Sequence, residues 1–309
     1  MSFLSLIVII SFSLVFPMVA YLYDRVLVTE IIIDLRILRI FHYISLTGLG
    51  LALYMRHLTS LDPYIQTTFI LTFCLFIISL VYAAVFAIVS NNIEDLETDK
   101  ISNRSRPLVT GKVQFKTYRN AGIICQIIAL IMARMLSLEL FYGILFISLG
   151  YYVYSCHPFR FKKIPFLAKL IIGLNSLTMA LCGYTFAGGK ISDFPIEWAI
   201  FILVPLSLSA NFVDLKDTEG DRVMGVKTLP VLWGEKKAKH FITISTVFTY
   251  MMAGYLLHIP WVYPLILMMA FLHIRFLYAK PYNEKPIFVV FVSSIFALDI
   301  FLILSPYLI

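Results

Sequence analysis

The chain has 309 residues, of which 60% are hydrophobic and only 14% are charged, and its mean hydropathy is +0.89. Soluble domains are roughly half apolar and a quarter charged, so an ordinary soluble domain is excluded. Because only helices and closed barrels cross a bilayer, and the apolar runs have helix length, the composition indicates an all-α integral membrane protein. The net charge of +7 does not indicate nucleic acid binding, because the basic residues lie in short loops between apolar runs.

A spanning helix needs ~20 mostly apolar residues. Such runs predict spans, in chain order, at 3–22, 31–55, 66–91, 117–136, 138–155, 166–188, 196–213, 239–257, 259–279 and 286–308. The first run could instead be a signal peptide, but it lacks a preceding basic stretch and a clean cleavage site. We therefore favour an extra N-terminal transmembrane or anchor helix within residues 1–30, followed by the main helical domain at 31–309.

Loop charge predicts the orientation of this multi-pass protein. The connections at 92–116, 156–169 and 214–239 are rich in Lys and Arg, whereas those at 57–63 and 190–197 are almost bare of both. Since cytoplasmic loops of membrane proteins carry an excess of Lys and Arg, we expect the three basic connections to face the cytoplasm.

The first acidic motif extends the third apolar run. Asn91, Asp95 and Asp99 recur at every fourth residue. If the helix continues through them, they share one face, with successive side chains ~6 Å apart. Carboxylates that extend so apolar a helix are costly unless they are paired, which indicates a functional role.

The second acidic motif ends the span predicted at 196–213. Asp214, Asp217 and Asp221 are again expected to fall on one helical face. Two such motifs, each at the end of a span and each followed by basic residues, argue against ordinary solvated loop acids.

The two motifs together predict a magnesium and diphosphate site. Clusters of like charge repel unless a cation lies between them, and Mg²⁺ is usually held by a few carboxylates together with substrate oxygens. The nearby Arg104, Arg106, Arg160 and Lys162 are suited to the remaining oxygens of a diphosphate.

At these residues the chain resembles the UbiA superfamily of intramembrane prenyltransferases. The family pattern NDxxDxxxD is matched by Asn91, Asp95 and Asp99, and a basic stretch at 103–111 follows, like the family's RPLPSG. The longer pattern DxxDxxGDxxxGxxTLP is matched by Asp214, Asp217, Gly220, Asp221, Gly225, Thr228, Leu229 and Pro230. A YSxxPxRxK pattern is matched by Tyr154, Ser155, Pro158, Arg160 and Lys162. The resemblance covers residues 31 to 308 in helix order.

The resemblance implies a bundle of nine transmembrane helices around a central cavity, with both acidic motifs at its cytoplasmic end. It implies metal ligation by Asn91, Asp95, Asp99, Asp217 and Asp221, with Asp214 close by. It also implies contacts to the diphosphate from Arg39, Arg104, Arg106, Tyr154, Arg160 and Lys162. The isoprenoid tail would extend into the apolar cavity, among membrane lipids.

Two departures from the family pattern matter. Asn92 replaces the usual Asp beside Asn91, which removes one charge but none of the ligands on the shared face. In the first family helix, the frequent Arg-Pro-x-Asn becomes Arg39-Ile40-Phe41-His42, so the pattern gives no guide to how an acceptor is held.

Three further polar residues lie inside predicted spans. Asp299 is a functional candidate because an acid inside a membrane is costly, although a protonated or paired helix-packing residue fits equally. Asn175 either lines the cavity, and so contacts substrate, or forms an interhelical hydrogen bond. His42 is either a base for a phenolic acceptor or a buried, satisfied side chain.

Three functions fit this sequence. The first is Mg²⁺-dependent transfer of a prenyl group from an isoprenoid diphosphate to a lipophilic acceptor, either an aromatic or quinone precursor or a lipid alcohol, through an allylic carbocation. The second is a UbiA-type terpene cyclase that ionises the same donor and cyclises it without an acceptor. The third is a cation transporter, which fits less well because transporters usually place their acids near the midplane on broken helices.

Overall fold

The computed structural model describes residues 3–58 and 66–308, in which every regular element is a helix and no strand occurs. In chain order the helices are α1 (Phe3–Ile10), α2 (Phe16–Tyr23), α3 (Arg25–Asp34), α4 (Ile37–Met55), α5 (Thr67–Glu94), α6 (Leu96–Ser102), α7 (Phe115–Leu136), α8 (Leu138–Ser155), α9 (Pro165–Phe186), α10 (Ile196–Phe201), α11 (Ser207–Ser209), α12 (Thr218–Val223), α13 (Leu229–Leu257), α14 (Tyr263–Leu277) and α15 (Glu284–Leu308). The connection at 57–63, which the orientation prediction uses, lies largely outside the described residues.

Nine helices in the described ranges are long and apolar enough to cross a membrane. Their bounds are Ile37–Met55, Thr67–Glu94, Phe115–Leu136, Leu138–Ser155, Leu167–Phe186, Ile196–Asp214, Leu229–Leu257, Pro260–Leu277 and Glu284–Ser305. A shorter apolar helix, Ile7–Tyr23, precedes them. The predicted nine helices and the extra N-terminal helix are therefore confirmed.

The span predicted at 31–55 is wrong at its start. α3 ends at Asp34 and α4 begins at Ile37, and Arg36 lies between them with a φ of 39°. The physical reason is the charge of Asp34 and Arg36, which a span beginning at residue 31 would place in hydrocarbon.

The chain divides into two compact units. One comprises Met1–Ile40 and Ser60–Arg160 and carries the first acidic motif. The other comprises Phe41–Thr59 and Phe161–Ile309 and carries the second. The predicted domain boundary after residue 30 stays a prediction.

In the first unit, the N-terminal segment packs on the helices that precede and follow the first motif. The Tyr82 hydroxyl of α5 donates to the Phe12 carbonyl at 2.7 Å, and the Asp24 carboxylate accepts from the Leu27 amide at 2.9 Å to cap α3. A small core is formed by Val85, Val89, Val113 and Tyr118. Three apolar side chains of the N-terminal segment pack against it, namely Leu27, Ile31 and Leu35. α3 is thereby held beside the chain that follows the first motif.

In the second unit, α4 and α9 cross with their backbones in contact. A Cβ atom added at Gly50 would lie 1.7 Å from the Ala180 carbonyl oxygen, and one added at Gly183 would lie 1.8 Å from the Thr47 carbonyl oxygen. Small residues permit this approach, which gains van der Waals contact between helices that lipid tails would otherwise solvate.

Replacing Gly50 by alanine is expected to destabilise the protein by about 3 kcal/mol, because the new methyl group meets backbone that cannot rotate away. The measurement is the thermal unfolding temperature of the purified protein in lipid. Gly254→Ala is the comparison, since its added Cβ would meet only outer side-chain atoms, Ile266 Cδ1 and Tyr263 Cε1, each at 2.9 Å. Equal losses in the two variants would contradict the backbone crossing as the cause.

Candidate active site

The first acidic motif lies on an almost continuous helix. α5 ends at Glu94 and α6 begins at Leu96, with a bend at Asp95. The Asp95 amide donates to the Asn91 carbonyl at 2.9 Å, and the Asp99 amide donates to the Asp95 carbonyl at 2.8 Å. Because the helical bonding pattern continues through the bend, these side chains remain on one side of the helix, as predicted.

The segment that ends α8 supplies partners to this motif. The Ser155 hydroxyl donates to Asn91 Oδ1 at 2.8 Å, and Arg160 Nη2 donates to Asp95 Oδ1 at 3.1 Å. Tyr154, which precedes Ser155 in α8, is half-buried. Arg160, which is predicted to contact the diphosphate, thus pairs with an acid of the first motif, and the contact between Ser155 and Asn91 was not predicted.

Asp99 is the most buried acid of the first motif, with 5% of its surface exposed. Asn103 Nδ2 donates to its Oδ1 at 2.9 Å, and Arg106 Nε lies 3.9 Å from its Oδ2. Burial raises the pKa of Asp99, an effect that Asn103 and Arg106 partly offset. Its Oδ2 accepts no hydrogen bond from the described residues, so this buried oxygen is open to a metal ion.

A cluster of arginines lies beside Asp99. Arg36 and Arg106 contribute to it, with Arg39 one helical turn along from Arg36. The pKa of Arg36 is lowered to about 9, first by burial and then by the positive charges of Arg39 and Arg106, with Asp34 and Asp99 opposing the shift. This excess of positive charge suits an anionic ligand. Arg104, by contrast, is exposed.

Two members of this cluster were absent from the predicted site. Asp34 is buried, accepts a hydrogen bond from Arg106 Nη1 and so pairs with it, and Arg36 lies two residues further along. The sequence does carry a signal for them, because Asp34, Arg36 and Arg39 lie close together inside an apolar run. The span prediction missed it because it considered the average hydropathy of the run and not its single charges.

The second motif does not lie on one continuous helix, so that prediction is wrong. A 3₁₀ turn, Ala210–Asp214, ends the span, and the short helix Thr218–Val223 begins after Asp217. The Thr218 hydroxyl donates to the Leu215 carbonyl at 2.9 Å across the break. Side-chain hydrogen bonds of this kind compete with helix continuation, which explains the interruption.

The acids of the second motif have basic partners within their own unit. Lys169 Nζ lies 2.9 Å from Asp214 Oδ2, a contact that the sequence did not predict. The pKa of Asp221 is raised to about 7, first by burial and then by the charges of Asp214 and Asp217, while Thr228 and Lys162 oppose the shift. The negative charges of Asp214 and Asp217 thus lie close enough to Asp221 to oppose its ionisation.

The raised pKa of Asp221 predicts how stability without metal depends on pH. Between its ordinary pKa near ~4 and about 7, the folded protein binds this proton more tightly than the unfolded chain does, so stability falls as pH rises through that window. Asp221→Asn should remove this part of the decline. The measurement is the unfolding temperature of Mg²⁺-free protein from pH 5 to pH 8, and parallel curves for both proteins would contradict it.

Both sets of acids fit Mg²⁺ that is shared with a substrate. In the part of the chain that the structure describes, no three His, Cys, Asp or Glu side chains form a preformed metal cage. Mg²⁺ does not require one, because it commonly takes one or two carboxylates and fills its remaining positions with water and phosphate oxygens. The unbonded Asp99 oxygen and the closeness of Asp214 and Asp217 to Asp221 are observations that agree with such an ion.

The polar residues inside spans occupy distinct surroundings. Asn175 is buried in α9. His42 packs among aromatic rings, with centroids 5.3 Å from Phe291 and 6.0 Å from Phe288, which favours the structural interpretation of this residue. Asp299 is buried against Gly48, where an added Cβ would lie 2.7 Å from its Oδ2.

Comparison with known proteins assigns the chain to a family. The sequence model of the UbiA prenyltransferase family matches residues 44–298, most of the chain, including both acidic motifs. The chain belongs to the UbiA prenyltransferase family. As a UbiA family member whose described residues include nine apolar helices of spanning length, it is an integral, multi-pass membrane protein. The family match begins after Asp34, Arg36 and Arg39.

Curated relatives of this UbiA family member share part of its length. It is 29% identical over 174 residues to a digeranylgeranylglyceryl phosphate synthase from Sulfurisphaera tokodaii, covering 54% of this chain and 59% of that protein. It is 32% identical over 163 residues to the protein of the same name from Sulfolobus acidocaldarius, covering 52% of this chain and 57% of that protein. The alignments therefore span little more than half the length of these curated relatives.

The fold of this UbiA family member also occurs in a solved structure. A UbiA homologue from Archaeoglobus fulgidus, determined with DMAPP and Mg²⁺ bound, aligns with a TM-score of 0.68 at 19% identity. The alignment covers 89% of this chain and 99% of that one. The likeness establishes a shared helical fold.

Proposed function

We propose that this protein is a Mg²⁺-dependent prenyltransferase that joins the prenyl group of an isoprenoid diphosphate to a lipid alcohol. The observation that carries the proposal is the pair of acidic motifs, each with its own basic partners. Arg160 and Arg106 accompany the first, while Lys169 and Lys162 accompany the second. Family membership supports the same reaction class.

Asn91, Asp95, Asp99, Asp217 and Asp221 would hold Mg²⁺, with Asp214 close by. The metal supplies positive charge to the diphosphate as it leaves. Arg39, Arg104, Arg106, Tyr154, Arg160 and Lys162 would contact the remaining diphosphate oxygens, and Asn175 would line the cavity for the prenyl chain. That both motifs bind the same diphosphate, on the cytoplasmic side, stays a prediction.

The chemistry breaks the bond between the allylic carbon and the diphosphate oxygen, and the electron pair leaves with the diphosphate. The acceptor hydroxyl then forms a new carbon–oxygen bond and loses its proton. Arginine suits the departing group because its guanidinium offers two parallel donors to phosphate oxygens and stays charged. Such stabilisation of developing charge is commonly the largest contribution to catalysis.

The names of the curated relatives support a lipid alcohol as the acceptor. They describe a glyceryl phosphate that carries two geranylgeranyl groups, and such a product implies attachment to glycerol oxygen. A phosphorylated, prenylated glycerol is therefore the acceptor class that we propose, in preference to an aromatic or quinone precursor. None of these relatives bears the name of a cyclase.

Product analysis by mass spectrometry tests the proposal. Purified protein in lipid is incubated with Mg²⁺ and prenyl diphosphates of increasing length, with a geranylgeranylated glyceryl phosphate, with an aromatic acceptor, or with none. We expect a product of acceptor mass plus one prenyl group, formed only with the glyceryl phosphate. A cyclic hydrocarbon from donor alone would identify a cyclase, and ion flux in liposomes without donor consumption would identify a transporter.

A further inference from the structure

Asp34, which terminates α3, joins two polar side chains in the first unit. It is 8% exposed, and its two carboxylate oxygens accept from different donors, Arg106 Nη1 and Asn92 Nδ2. Arg106 follows the first acidic motif in the chain and Asn92 lies inside it, so one carboxylate connects the motif to the arginine behind it.

The surroundings of Asn92 explain why this position is not an acid here. Asn92 is 1% exposed, and its amide nitrogen donates to Asp34 and also to the Tyr118 hydroxyl at 2.9 Å. A carboxylate only accepts hydrogen bonds, so Asp34 requires a donor at position 92. An aspartate at 92, the residue of the family pattern, would set two buried carboxylates against each other.

We propose that Asp34 is a positioning residue for Arg106, and that it carries in this chain the carboxylate that the family pattern places at position 92. The negative charge that the family pattern places at position 92 is found here on Asp34, the hydrogen-bond partner of Asn92. The inference rests on the proposed function, because the purpose of holding Arg106 is to present its guanidinium to the donor diphosphate.

The charges around Arg106 explain why it requires Asp34 to hold it in place. Arg36 and Arg39 lie in the same cluster, and Arg106 Nε is 3.9 Å from Asp99. Without Asp34, Arg106 would be repelled by two cations and drawn towards Asp99, a proposed metal ligand. Asp34 thus keeps Arg106 beside the motif while leaving an oxygen of Asp99 open.

A swap of side chains tests this assignment. Asp34→Asn, Asn92→Asp and the double variant are compared with wild type for KM and kcat in diphosphate release at saturating Mg²⁺. Each single variant is expected to raise the donor KM about tenfold, with a smaller change in kcat. The double variant, which restores one carboxylate to the pair, should recover a KM within about threefold of wild type.

The matched control is Glu30→Gln. Glu30 lies one turn earlier on α3, is buried, and pairs with Lys112 at 2.7 Å. Among the described residues, no hydrogen bond or ion pair joins Glu30 to the proposed donor site. Its donor KM should stay within about twofold of wild type. A purely structural role for α3 would instead move the KM of Glu30→Gln and Asp34→Asn alike.

An unchanged KM in Asp34→Asn, or a double variant no better than Asp34→Asn, would overturn the inference. Should Asp34→Asn not fold, Asp34→Glu replaces it and is expected to raise KM because the guanidinium is displaced by a methylene length. If wild type releases diphosphate from no prenyl donor, the proposed function fails by itself. The pairing of Asp34 with Arg106 is then tested by a double-mutant cycle of unfolding temperatures for Asp34→Asn and Arg106→Gln. Purely additive losses would reject it.

Discussion

Replacing Asp95 by alanine is expected to lower the rate of Mg²⁺-dependent diphosphate release by about 10³-fold while the protein still folds. Asp95 lies at the centre of the first motif, where its Oδ1 accepts from Arg160 Nη2 at 3.1 Å. Loss of this carboxylate removes a proposed metal ligand and also releases Arg160. The measurement is released diphosphate from a prenyl donor, with the unfolding temperature recorded on the same preparation.

The control for Asp95 is a neighbouring acid in the same motif. The Glu97 side chain is 70% exposed and pairs with Lys100 at 2.6 Å, so it belongs to a solvated surface. Glu97→Ala should release diphosphate at the wild-type rate. Normal turnover in Asp95→Ala would show that Asp95 is not a metal ligand. Equal losses in both variants would show that activity depends on the total negative charge of the segment and not on Asp95 in particular.

Replacing Asp217 by alanine is expected to cause a loss of similar size, although Asp217 belongs to the other compact unit. Asp217 directly precedes the short helix Thr218–Val223, and its charge contributes to the raised pKa of Asp221. The exposed Glu219 is the matched control, and Glu219→Ala should retain activity.

Combining changes at both motifs tests whether they serve one ligand. In Asp95→Asn, Asp217→Asn and the double variant, Mg²⁺-dependent binding of a non-reactive donor analogue is followed by its effect on unfolding temperature. Groups that act as a unit are strongly non-additive, so the double variant should bind no worse than the weaker single variant. Independent, additive losses would show that the motifs do not grip a common diphosphate.

Sequence reasoning predicted well those features that depend on local periodicity. Apolar runs of spanning length identified the nine helices, and the four-residue spacing of Asn91, Asp95 and Asp99 was realised because the helical bonding continues through the bend at Asp95. It failed at the start of the span predicted at 31–55, since an average over an apolar run conceals single charges. It failed also at the second motif, where local hydrogen bonds interrupt the helix.

Contacts between distant parts of the chain were beyond such reasoning. Lys169 and Asp214 are 45 positions apart in the numbering, and Asp34 and Arg106 are 72 apart. No periodicity links residues at such separations, because packing of whole helices decides which of many basic side chains meets which acid. The basic residues near the motifs could be identified from the sequence, but which acid each of them pairs with could not.

The helix at Arg25–Asp34 bears on how homologues of this protein are produced and compared. The family match begins at residue 44, so a shortened version cut at the homology boundary would lack both acids of that helix. Arg106 would then lose its ion pair with Asp34, and Lys112 would lose its ion pair with Glu30. Such a trimmed enzyme should extract poorly from membranes and turn over slowly, and its failure would be mistaken for a wrong choice of substrate.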